Sequence, residues 1–311
     1  MRPHARMPQP FERRAFTVGE ALVAGIGAGR LRGRDLDRPF HGVRAPGPLD
    51  LEARCRAKLL TMRHGQVFSH ATACRLFGIV VPSRQEDDQV DVAAFAPNAI
   101  PRGVGVRGHR LAAGGTRVRA LRGLPIVSPE DAWCQLASTA TIRELVVAGD
   151  SLLRRRRPHS TREQMRAAVL RHAGRRGHRA LTAAFELVRA ATDSPEETLL
   201  RLDLVECGLP EPTVNLPIHD ASGRLCAIGD MAYPEYLVLA EYDGEQHRMD
   251  DGQYARDLER LDDLARLGWR VIRFTKRHRG RARTMQLERV REALLARGWS
   301  PGSAPGTRTR R

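Results

Sequence analysis

Three carboxylates stand where burial disfavours charge. The run Tyr236-Leu237-Val238-Leu239-Ala240 is nearly all apolar and reads as a strand buried on both faces, yet it leads straight into Glu241-Tyr242-Asp243. Glu241 and Asp243 are two residues apart, so on a strand both side chains project to one face. Leu225 to Ala232 predicts the neighbouring strand, joined through Pro234-Glu235, and its Asp230 reaches that same face. Three like charges at the ends of buried strands repel one another and lose solvation. A hard divalent cation that prefers oxygen ligands, Mg²⁺ or Mn²⁺, would neutralise them. Held there, it would activate water and stabilise charge on a scissile phosphate.

The charge pattern points to the same chemistry. The 311 residues include 52 Lys and Arg against 36 Asp and Glu, a net charge of +16. Only Lys58 and Lys276 are lysines. From Asp193 to Asp263 there are 18 acidic and 5 basic residues, net −13; the rest of the chain has 47 basic and 18 acidic, net +29. An acidic segment inside a basic chain fits carboxylates gathered for a cation and basic flanks gathered for a polyanion, so DNA is the expected partner.

Other classes are excluded. No run of 18 apolar residues spans a membrane, and the first 15 residues lack the apolar stretch of a secretory signal. The five cysteines (Cys55, Cys74, Cys134, Cys207, Cys226) form no CxxC pair. This argues against a disulfide framework or a cysteine zinc site and for reduced thiols, hence a cytoplasmic location. No Walker loop, strand-linked GxGxxG or HExxH occurs. Gly149-Asp150-Ser151-Leu152 spells the motif of a serine esterase family, but it falls mid-helix, where its serine is not presented.

Helices and strands must position these groups. Residues 1–15 read as a disordered basic lead-in. Thr17 and Glu20 open a short helix, the glycines from Gly25 to Gly29 turn the chain, Arg30 to Leu36 reads as a second helix with an arginine face, and Pro39 to Arg44 turns into a strand. That order is that of a winged helix-turn-helix. Helices are expected over Asp50 to Arg63, Phe68 to Gly78, Pro129 to Ser138 and Thr141 to Arg155, with strands at Val90 to Phe95, Gly103 to His109 and Thr116 to Leu121. Ser160 and Glu163 form a capping box for the next helix, and Ala180 to Ala191 follows. Beyond Ser194-Pro195-Glu196-Glu197 the order is αβββαβα: a helix to Cys207, strands at Thr213 to His219, Leu225 to Ala232 and Tyr236 to Tyr242, a helix at Gln253 to Leu267, a strand at Trp269 to Thr275 and a helix at Thr284 to Arg297.

Several runs in this back half resemble a widespread bacterial family. They are Ser194-Pro195-Glu196-Glu197-Thr198-Leu199-Leu200-Arg201, Asp230-Met231-Ala232-Tyr233-Pro234, Glu241-Tyr242-Asp243-Gly244-Glu245-Gln246-His247, Tyr254 with Asp257 and Arg260, and Gly268-Trp269-Arg270-Val271. That family is related to the very-short-patch repair endonucleases and has a restriction-endonuclease-like, PD-(D/E)XK, core. The resemblance covers residues 190–298. It implies a metal-dependent phosphodiesterase site in which Glu197 is the helix carboxylate, Asp230 the central metal ligand, Glu241 the second acidic ligand and His247 a supporting or base-like residue, backed by Asp257 and Arg260. The lysine usual two residues after the second ligand is absent, and Asp243 stands there. More loosely, Phe16 to Val43 and Phe68 to Ala73 resemble the winged-helix part of AbiEi-type antitoxins, which are transcriptional repressors.

The expected architecture is therefore α/β. A winged helix-turn-helix with an α/β extension spans 16–140, a helical connector 141–191, a three-layer restriction-endonuclease-like domain 192–298, and a low-complexity tail 299–311. The expected activity is Mg²⁺-dependent DNA cleavage, with a non-catalytic DNA-binding regulator of the antitoxin type as the alternative. Arg30, Arg32 and Arg34 are the candidate phosphate contacts. Plainer readings exist for each group. Glu197 is also placed as a capping-box glutamate behind Ser194, Asp257 and Arg260 as an i,i+3 surface pair, and His70 with Cys74 as core packing.

Overall fold

The structure, a computed structural model, describes residues 7–244 and 251–302, with the backbone alone over 251–255. His247 and its neighbours from Glu245 to Asp250 lie outside the described residues. The fold is mixed α/β.

Phe16–Thr17 (β1) and Val43–Arg44 (β2) pair antiparallel around the helix Val18–Val23 (α1). Thr17 caps α1 as expected, its Oγ1 accepting the Glu20 N–H at 3.0 Å. The arginine-faced helix expected over 30–36 is not formed; Arg30–Arg32 makes a single 3₁₀ turn between Gly29 and Gly33. Closely spaced glycines weaken helix propagation there. The lead-in, expected to be disordered, is packed from Met7 onward. Met7 and Phe11, four residues apart, bury with Phe16 and Ala21, and the Phe11 ring meets Phe16 edge-on at 5.0 Å.

Leu51–Leu59 (α2), Gln66–Phe68 (β3), His70–Phe77 (α3), Val90–Phe95 (β4), Val106–Leu111 (β5), Val118–Leu121 (β6), Leu124–Val127 (β7) and Pro129–Leu136 (α4) follow. The five strands order as β5-β4-β3-β7-β6, parallel at β4/β5 and β3/β7 and antiparallel elsewhere. Ile142–Leu152 (α5), Arg162–Arg171 (α6) and His178–Leu187 (α7) come next. The capping box of α6 is Thr161 with Gln164, one residue beyond the expected Ser160 and Glu163.

The back half keeps the expected order: Pro195–Glu206 (α8), Thr213–His219 (β8), Leu225–Tyr233 (β9), Val238–Asp243 (β10), Asp251–Arg266 (α9), Arg270–Thr275 (β11) and Arg281–Leu295 (α10). Its sheet runs β11-β10-β9-β8, with β10 parallel to β11 and the other neighbours antiparallel. β10 is covered on both sides. Val238 and Ala240 pack with Leu200 of α8 and Val290 of α10, whereas Leu239 packs with Leu264 of α9. Helices on both faces thus make three layers. Trp299, expected in the tail, is buried with the first of these clusters.

The chain forms two compact units, one from residues up to 148 with 159–187, the other from 149–158 with 188 onward. The expected connector is therefore shared out: α6 and α7 belong to the front unit, and 149–158 to the back. Asp150 shows what that short piece does. Its carboxylate is fully buried in the back unit and accepts from the Arg189 N–H at 2.7 Å, the Thr198 hydroxyl at 2.9 Å and the Arg201 guanidinium at 3.0 Å. Arg201 is 1% exposed and also reaches Glu211 at 3.1 Å. Removing one partner of such a pair strands a charge in the interior. Arg201→Met is expected to cost about 3–5 kcal/mol, read as a lowered urea midpoint; a midpoint equal to wild type would refute it.

Candidate functional site

The strand parity read from the sequence places two of the carboxylates together. Leu239 faces α9, so Glu241 two residues on faces α9 as well, and Asp230, two before Ala232, stands beside it on β9. The Asp230 Oδ2 accepts the Tyr242 N–H at 2.8 Å. Asp230, Glu241, Asp243 and Asp257 line one cavity of about 250 Å³ with Arg260 and Arg273. Burial pushes Asp230 up to about 7; the Tyr242 N–H opposes the shift, and the nearby charges of Glu197 and Glu241 add to it.

Glu241, 5% exposed, is already neutralised. The Arg260 guanidinium forks onto it, Nη1 to Oε1 at 2.5 Å and Nη2 to Oε2 at 3.0 Å. This bidentate geometry is the strongest an arginine and a carboxylate form. Arg260 also stands 3.8 Å from Asp257, and Arg273 stands 3.7 Å from Asp243.

Glu197 lies close enough to Asp230 to raise its pKa, but its oxygens are committed to the start of α8. Oε1 accepts the Ser194 hydroxyl at 2.9 Å; Oε2 accepts the Asp193 N–H and the Asn215 side-chain amide, both at 2.9 Å. The Glu197 N–H in turn donates to the Ser194 Oγ at 3.2 Å. Glu197 thus serves the start of α8, as the plainer reading has it, though through the Asp193 N–H and the Ser194 hydroxyl and not through the Ser194 backbone N–H of a true capping box.

These residues do not fit a resident divalent ion as arranged. Of the carboxylates expected to hold Mg²⁺ or Mn²⁺, Glu241 is saturated by an arginine and Glu197 by three donors. Among the described residues, no three His, Cys, Asp or Glu side chains are disposed to hold a metal.

Of the expected phosphate contacts, Arg30 is tied to Asp35 at 2.6 and 3.0 Å, while Arg32 and Arg34 are exposed. A stronger cationic feature is one that the sequence did not signal. A groove of about 700 Å³ in the front unit is lined by Lys58, Arg63, Arg102, Arg110 and His41 around Phe40, and no carboxylate lines it among the described residues. The Lys58 ammonium lies 5.6 Å from the Phe40 ring centre, and burial lowers its pKa. Arg102 and Arg110 are exposed. Gly108 builds the groove: a Cβ there would fall 1.8 Å from the Pro101 carbonyl oxygen, so only glycine lets the Arg102 segment lie against β5. Arg110 at the end of a strand and Lys58, one of two lysines, are visible in the sequence. Nothing in their spacing joins them.

No family model matches the chain. Two proteins of Mycobacterium tuberculosis, "Uncharacterized protein MT2308" of strain CDC 1551 and "Uncharacterized protein Rv2248" of strain H37Rv, are each 28% identical over 243 residues, covering 76% of this chain and 84% of their own. A solved structure, that of the RV2827C protein from M. tuberculosis, aligns with a TM-score of 0.36 at 18% identity over 60% of this chain and 74% of its own. Among the described residues no helix is long and apolar enough to cross a membrane.

The shifted Asp230 sets a pH dependence. Its pKa rises from an ordinary 3.8 to about 7 on folding. Between those values the folded protein binds more protons than the unfolded chain, so this group's contribution to stability falls as pH rises and levels off above 7. Asp230→Asn is expected to gain stability relative to wild type across that window in urea titrations. A constant difference from pH 4 to 8 would show that Asp230 titrates normally.

Proposed function

We propose that the chain is a DNA-binding protein that docks the phosphate backbone in the front-unit groove, with a nuclease-related back half whose acidic pocket is locked by Arg260. The groove carries this reading: four cationic side chains gathered without a carboxylate among the described residues are an electrostatic footprint for a polyanion. The segment from β1 through α1 to β2 is read as a trimmed winged helix, and the αβββαβα half as a restriction-endonuclease-like core. This combination suits a regulator of the antitoxin type.

A second reading, phosphodiester hydrolysis, is favoured by the gathering of Asp230, Glu241, Asp243 and Asp257 in one cavity at the strand ends. It requires Arg260 to leave Glu241.

Binding to a labelled duplex, followed by fluorescence anisotropy from about 50 to 200 mM salt, separates the outcomes. Wild type is expected to bind with steep salt dependence. Arg63→Ala, Arg102→Ala and Arg110→Ala combined are expected to flatten the log K against log salt slope by about 1 for each phosphate left without its arginine. An unchanged slope would sink the groove assignment. Supercoiled plasmid is expected to stay intact with Mg²⁺ as with EDTA; Mg²⁺-dependent nicking abolished by Asp230→Asn would establish the second reading instead.

A further inference from the structure

The opposite face of β5 holds a different site. Val106 and Arg110 line the groove, whereas the alternate residues Arg107 and His109 line a cavity of about 220 Å³ in the same unit. His109 places Nε2 2.8 Å from the Asp91 carboxylate, which is 2% exposed and also accepts the Thr72 N–H and hydroxyl. The His109 ring stacks on His70 with centres 3.5 Å apart and planes 15° apart. His70, expected as core packing, is thus part of a cavity wall.

Its backbone is held at φ +48°, a conformation a side-chain-bearing residue adopts only when its surroundings enforce it. The enforcing contacts are its N–H to the Gln135 Oε1 at 2.9 Å and its Nδ1 to the Ser69 hydroxyl at 3.0 Å. Burial, with help from His109, drops the His70 pKa to about 3, so the ring is neutral.

The cations of this cavity are already paired. Arg107 meets Asp91 at 3.5 Å and binds Asp87, and Arg84 binds Glu144 and the Thr139 carbonyl. An anion would find both guanidiniums committed. Two buried amide atoms on residues of the cavity wall, a donor and an acceptor, stand unpaired among the described residues. The Gln135 Nε2, on a residue 4% exposed, and the Gln85 Oε1 are both buried without a hydrogen-bond partner. Leaving such an atom unpaired costs about 1–3 kcal/mol, and a ligand with the complementary edge would recover it.

We propose that this cavity binds a nucleobase-type ring: a neutral planar heterocycle that accepts from Gln135, donates to Gln85 and lies against the stacked imidazoles. The volume suits one ring system, being below the roughly 300–1,000 Å³ of sites that enclose drug-sized ligands. A free nucleoside and a base swung out of a DNA strand present the same ring. The proposal does not rest on the groove, since a nucleoside carries no phosphate.

Calorimetry of the full-length protein with each of the four deoxynucleosides tests it. Saturable binding of at least one is expected, weakened about tenfold by Gln85→Met, the loss of one hydrogen bond. Gln135→Glu keeps the oxygen that holds His70 and removes the donor; it is expected to weaken binding equally, with thermal melts of both variants confirming the fold. If nucleosides do not bind but a duplex with one unpaired base binds more tightly than its abasic counterpart, and Gln85→Met removes that preference, the ring is delivered by a strand. Absence of both effects, or binding indifferent to Gln85→Met, overturns the proposal.

Discussion

Charge at the tip of a buried strand must be compensated, and in this protein the compensation is internal. β10 has apolar packing on both faces, so Glu241 enters an environment where an isolated carboxylate is strongly disfavoured. The forked guanidinium of Arg260 supplies the opposite charge from within the same unit. Asp230 has no such fork among the described residues, and a single backbone N–H leaves it well above the ordinary carboxylate range. The back unit repeats the solution at Asp150, where Arg201 and two further donors meet a carboxylate with no access to water. Arginine suits both places because it stays charged when desolvated; its fork meets both oxygens of Glu241, whereas at Asp150 one nitrogen reaches the carboxylate and another turns to Glu211.

The front unit organises charge differently. One short strand separates two environments by the alternation of its side chains. Arg110 faces a groove whose cations are left for solvent or a polyanion, whereas Arg107 and His109 face a cavity whose cations are matched by carboxylates. Gly108 between them keeps the strand thin enough for the Pro101 carbonyl to close against it. The groove presents cations without a carboxylate in its lining among the described residues, whereas those of the cavity are held in ion pairs.

Local signals in the sequence were readable wherever the responsible residues are neighbours. Ser128 before Pro129 and Ser194 before Pro195 cap their helices as expected, and the strands at 90–95 and 213–219 stand where their β-rich runs put them. The shared face of Asp230 and Glu241 followed from strand parity alone. Contacts chosen in three dimensions were not readable. Arg260 looked like the surface partner of Asp257 three residues away, but its tighter bond is to Glu241, nineteen residues away. His109 and Asp91 are eighteen residues apart on neighbouring strands. β3 and β7, of three and four residues, are too short to show a period, and the arginine-rich turn at 30–32 failed as a helix because of its glycines.

The discontinuity of the two units bears on how the polypeptide can be handled. Residues 149–158 and 159–187 alternate between units, so the backbone passes from front to back, returns, and passes again. No single cut yields two intact halves. A fragment starting at 188 would lack Asp150, the buried carboxylate that Arg201 and Thr198 hold; one ending at 148 would lack α6 and α7. During synthesis the ribosome releases Asp150 before Thr198 and Arg201, and that carboxylate stays hydrated until α8 arrives.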